Sequence, residues 1–102
     1  MANYLAPSKE IDFVLNKVLD YKKLNALSAF SEATPELTEV ILDNAAKFAG
    51  EVLGPINRSG DCEGVKVKGS EVKTAPGFVE AYQQFVDSEW LALAQNPSFG
   101  GQ

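Results

Sequence analysis

The chain contains no histidine, and it has one cysteine, one methionine and one tryptophan among 102 residues. The missing histidine removes the commonest general base and metal ligand, and with them every Ser-His or Cys-His nucleophile. A single cysteine, Cys62, excludes an internal disulfide. Its neighbours are Asp61 and Glu63, with no histidine to serve as its partner, so it reads as a spectator thiol. Basic residues are also few, nine against fourteen acids, for a net charge of −5. They form no basic stripe, which argues against nucleic acid and against anionic membranes as partners. No apolar run approaches the roughly 18 residues that cross a bilayer. Residues 1–8 lack the charged-then-apolar order of a signal peptide, so the expected location is cytoplasmic.

What is present has the periodicity of helices. Ile11, Val14, Leu15, Val18 and Leu19 recur at helical spacing behind Ser8, predicting a first helix over about 9–21 capped by Ser8, with residues 1–8 a loose arm. Leu24, Leu27 and Phe30 predict a short helical turn. Thr34-Pro35 opens the clearest element, with Thr34 as cap and proline at the first helical position. Leu37, Val40, Ile41, Ala45, Phe48, Ala49, Val52, Leu53 and Ile56 form its apolar stripe; Glu36, Glu39, Asp43, Lys47 and Glu51 lie on the other face, with Asp43 and Lys47 spaced for an ion pair. Gly54-Pro55 predicts a kink or an early finish. Residues 57–64 read as a turn. Val65, Val67 and Val72 alternate with Lys66, Lys68 and Lys73 about Gly69-Ser70, a half-exposed hairpin over 65–73. A last long helix begins near Pro76 or Gly77, carries Phe78, Tyr82, Phe85 and Val86, and ends about Ser88. Trp90, Leu91 and Leu93 then pack separately or on a short following helix.

The expected fold is therefore all-α: a bundle of about three main helices with a small β-hairpin insertion, in one domain over 1–102. None of its side chains forms a catalytic set. Arg58, Asp61, Cys62 and Glu63 read as a solvated turn, and the acidic residues of the long helix as a solvated face rather than a metal site. Tyr82, Phe85 and Trp90 read as core packing rather than ligand stacking. The terminal Pro97-Ser98-Phe99-Gly100-Gly101-Gln102 is a loop, its paired glycines permitting close backbone approach. From it the chain reads as the front of a larger helical protein, with apolar surface that wants a neighbour.

Several segments in order resemble the start of an acyl-CoA dehydrogenase. Ala45-Ala46-Lys47-Phe48-Ala49 and Val52-Leu53-Gly54-Pro55-Ile56-Asn57 are similar to that family's amphipathic helix running into a proline. Asp61-Cys62-Glu63-Gly64 resembles its Asp-x-x-Gly turn, and Pro76-Gly77-Phe78 the proline that opens the next helix. Phe85 to Trp90 resembles the stretch that leads to a Gly-Trp or Gly-Leu step, with Glu89 where the family usually has glycine. Pro97 to Gln102 resembles Pro-x-Tyr-Gly-Gly-x, with Ser98-Phe99 for a common Glu-Tyr. The hairpin and the helix before Thr34 resemble the longer subgroup, which includes the 3-methylmercaptopropionyl-CoA dehydrogenase type.

The resemblance implies an FAD-dependent oxidoreductase of fatty acid metabolism that converts acyl-CoA to 2-enoyl-CoA and passes electrons to an electron-transfer flavoprotein. It implies that the catalytic base and most flavin contacts lie outside this chain. No catalytic or metal residue is then expected in it, nor any cofactor bound to it alone. Phe99, Gly100 and Gly101 would lie near the acyl or flavin pocket of the intact enzyme. Partners would be the enzyme's remaining domains, or a second copy through apolar helix faces. The rival expectation is a self-contained helical interaction module with no enzymatic activity.

Overall fold

The computed structural model describes residues 3–102; Met1 and Ala2, the first residues of the expected arm, lie outside the described residues. The chain divides into two compact units, Met1–Gly54 and Pro55–Gln102.

In the first unit, α1 (Ser8–Phe13) continues into a wide π-helical turn, Val14–Val18. Ser8 is not the cap. It is the first helical residue, Pro7 precedes it with no side-chain cap bond, and the Ile11 amide donates to the Pro7 carbonyl at 3.0 Å. The helix also stops short of Tyr21. Asp20 sits at φ 51, ψ 65, a left-handed conformation that no helix propagates through. Tyr21 instead starts α2 (Tyr21–Asn25), and its hydroxyl donates to the Ala33 carbonyl at 2.7 Å. Asn25 Nδ2 donates to the carbonyls of Phe30 and Ser31, holding a 3₁₀ turn, Ser28–Phe30, where the short helical segment was expected.

The long helix starts as its sequence dictates. Thr34 Oγ1 accepts from the Leu37 amide at 3.2 Å, and Pro35 follows at the first position of α3 (Pro35–Phe48). Asp43 and Lys47 close no ion pair; among the described residues the ion pair formed is the exposed Lys23–Asp20, at 3.7 Å. A second π turn, Ala49–Leu53, follows α3, with the Gly54 amide bonding to the Ala49 carbonyl five residues back. This wide turn stands just before Pro55. A proline ring collides with the carbonyl four residues earlier in a regular helix, and local widening relieves that collision. The N-terminal arm lies against this segment: an added Cβ on Gly50 would stand 3.1 Å from the Tyr4 carbonyl oxygen, and one on Gly54 3.3 Å from Tyr4 Cβ.

In the second unit the chain does not turn after Ile56. It stays helical as α4 (Gly54–Glu63), so Arg58, Asp61 and Cys62 lie on a helix rather than in a loop. The expected turn shrinks to Gly64, at φ +66, whose amide donates to the Gly60 carbonyl at 2.8 Å. A left-handed glycine closing the last turn is a common helix stop. The hairpin forms as β1 (Lys66–Lys68) and β2 (Glu71–Lys73), with Val67 opposite Val72 and Lys66 opposite Lys73. Gly69 takes φ +62 in its two-residue turn. The hairpin is exposed on both faces, not half-exposed: Val67 is 72% and Val72 67% accessible.

Gly77, at φ +90, leads into α5 (Phe78–Asp87). This helix meets α4 where the Phe78 ring lies over Gly60, and Gly77 lies beside Ile56 Cγ2. Ala75 and Ala81 are buried; Phe85 and Trp90 are half-buried. Tyr82, expected on the packed stripe, is exposed, because the buried face is centred on Ala81. Trp90–Ala92 and Pro97–Phe99 are single 3₁₀ turns. These elements make the all-α architecture with a hairpin insertion that the periodicity predicts.

Candidate functional site

The end of the second unit concentrates the chain's irregular backbone. At the close of α5, Glu89 adopts φ 62, ψ 23, a left-handed conformation that glycine enters without steric cost and other residues do not. Beside it, the indole Nε1 of Trp90 is buried and, among the described residues, has no hydrogen-bond partner. A buried donor left unpaired costs about 1–3 kcal/mol.

The terminal loop is built by its own residues. Asn96 Oδ1 accepts from the Ser98 amide at 2.8 Å, the Asn96 carbonyl accepts from Phe99 and Gly101, and Gly100 takes φ +88. Gly101 passes so close to the Gln95 carbonyl that a Cβ there would overlap it. The close approach foreseen for the paired glycines is thus to the chain's own backbone. Phe99, held at the tip, is 86% exposed. Gln102 Nε2 donates to Glu89 Oε2 at 2.9 Å and ties the loop to the corner where α5 ends. Phe99, Gly100 and Gly101 are therefore one short turn, presenting an aromatic ring outward.

The other candidate residues do not converge. Cys62 is free and exposed. Among the described residues no three acidic or cysteine side chains are grouped to hold a metal ion. Glu36, Glu39, Asp43 and Glu51 are exposed along the α3 run. Among the described residues, no helix is long and apolar enough to cross a membrane.

No protein-family profile matches the chain. It is, however, 31% identical over 98 residues to the 3-methylmercaptopropionyl-CoA dehydrogenase of Ruegeria pomeroyi. The likeness is to an acyl-CoA dehydrogenase. The aligned region takes in 96% of this chain and 17% of the relative, so the chain spans about a sixth of the length of the enzyme it matches. The acyl-CoA dehydrogenase resemblance read from the ordered motifs, and the subgroup it pointed to, coincide with this match. Sequence reasoning missed the orphaned Trp90 N–H and the Glu89–Gln102 bond; the glutamate in place of glycine was the one visible signal for the strained corner.

Proposed function

We propose that this chain is the N-terminal helical domain of an FAD-dependent acyl-CoA dehydrogenase. The observation that carries this is the 31% identity along 96% of the chain. In the complete enzyme the reaction would be oxidation of the Cα–Cβ bond of an acyl-CoA thioester to the 2-enoyl-CoA, with electrons passed on to an electron-transfer flavoprotein. When bound, FAD supplies the hydride acceptor for that chemistry.

The residues present do not make a flavin site by themselves. The terminal turn offers an exposed aromatic ring and glycine backbone, and no basic residue lies between Glu89 and Gln102 to meet a pyrophosphate. This chain's part would be to form one wall. Phe99, Gly100 and Gly101 would border the acyl or flavin pocket, fixed there by the Asn96 and Glu89 bonds. The unpaired Trp90 N–H and the exposed apolar side chains Phe13, Val18, Leu19 and Phe99 would meet the enzyme's remaining domains.

The experiment is flavin absorbance and thioester oxidation by the purified chain with an artificial electron acceptor. The proposal expects neither stoichiometric flavin nor turnover; either one would show that the active site is complete within these residues. A second reading, a non-enzymatic interaction module, draws on the same exposed apolar surface. It predicts a partner other than acyl-CoA dehydrogenase domains, and recovery of such a partner with no affinity for those domains would favour it.

A further inference from the structure

We propose that copies of this chain associate by seating the hairpin of one copy on the Glu36–Asp43 strip of α3 in another. Charge is segregated along the sequence. Residues 66–73 hold Lys66, Lys68 and Lys73 against Glu71, whereas residues 24–46 hold Glu32, Glu36, Glu39 and Asp43 and no basic residue. Among the described residues none of these side chains is in an ion pair.

The hairpin is a poor structure alone. Two isolated strands are marginal in water, and Lys66 stands directly opposite Lys73, a like-charge pair that weakens the ladder. By the alternation of a strand, Lys66, Lys68, Glu71 and Lys73 share one face, and Val67 and Val72 the other. Both valines are uncovered. A fitting partner therefore combines an apolar strip with an acidic rim.

α3 carries that combination. Leu37 and Val40 are 46% and 55% exposed, and Glu36, Glu39 and Asp43 stand beside them, also exposed. Helical spacing sets Glu36, Val40 and Asp43 on one line, with Glu39 and Leu37 flanking it. The valines would cover Leu37 and Val40 while the lysine stems reach the acidic rim. An anionic membrane fits less well, because outside the hairpin the chain is acidic. Each copy bears both halves of the contact, so association is head-to-tail and can continue past two copies unless it closes.

The test is sedimentation velocity of the whole chain across a concentration series at about 20 mM and about 500 mM salt. Self-association is expected, with a dissociation constant rising at least about tenfold at the higher salt. K66E/K68E/K73E and E36K/E39K/D43K should each be monomeric alone and re-associate when mixed, since the two reversals restore complementarity. Circular dichroism checks that each remains folded. K66Q/K68Q/K73Q, which adds no repulsion across the hairpin, should show the same loss and substitutes if the reversed hairpin unfolds. A wild-type chain monomeric to about 0.5 mM at low salt, association unmoved by these substitutions, or a mixture of folded reversed variants that stays monomeric would each overturn the proposal.

Discussion

The side chains of Gln102 and Glu89 meet across 2.9 Å, and the residue that accepts this bond is itself in a left-handed conformation. Two opposing effects therefore reside in Glu89. Its backbone costs about 1–2 kcal/mol that glycine would not incur. Its carboxylate, on an exposed residue, returns only about 0.5–1 kcal/mol through one hydrogen bond. Glu89→Gly should thus raise stability by about 0.5–1 kcal/mol, a thermal midpoint shift of several degrees in a domain of this size. The terminal turn should loosen at the same time, seen as faster amide exchange at Gly101. A lower midpoint would show that the side-chain bond outweighs the strain.

The packing of Phe78 on Gly60 gives a second test, in which the sign depends on the context. In a helix, alanine is preferred to glycine by about 1 kcal/mol. Here a Cβ on Gly60 would stand 2.6 Å from Phe78 Cε1, so the ring must move. Overpacking of this kind costs about 1–3 kcal/mol, and Gly60→Ala should be net destabilising. In a Phe78→Ala background the obstruction is gone, and the same substitution should become stabilising by about 1 kcal/mol. Chemical denaturation of the four proteins in this cycle measures it. An equal effect of Gly60→Ala in both backgrounds would refute the contact.

Thr34 tests whether the long helix is anchored at its start. Its hydroxyl satisfies the Leu37 amide, and Thr34→Ala should cost about 1 kcal/mol, with Thr34→Ser nearly neutral. A loss below about 0.3 kcal/mol for the alanine variant, by denaturant titration, would show that water caps the helix equally well.

These residues also mark how far the fold was legible in sequence. Thr34-Pro35, the stripe of α3, the Gly69 turn and the end of α5 at Ser88 were readable because each rests on local chemistry: a cap, a period of 3.6, a positive φ, a finish before a misfit residue. The first helix stops earlier than its periodicity predicts, and nothing in an aspartate announces that Asp20 will turn left-handed. Residues 57–63 are helical where their composition predicts a turn, because Gly60, a helix-weakening residue in isolation, is there to admit the Phe78 ring. That ring comes from eighteen positions away, and a local window does not see it. At the terminal loop the sequence revealed glycines, but not that Gly101 makes room for the Gln95 carbonyl.

The central claim is that this chain forms a wall of an acyl-CoA dehydrogenase. It is tested most directly by co-expressing the chain with a 3-methylmercaptopropionyl-CoA dehydrogenase from which the matching 98-residue segment has been removed, and measuring bound flavin and thioester oxidation in the co-purified material. The account predicts that the two pieces co-purify one to one, and that flavin content and turnover rise well above those of the truncated enzyme alone. A truncated enzyme that neither retains this chain nor gains flavin or activity from it, while its own excised segment restores both, would contradict the account.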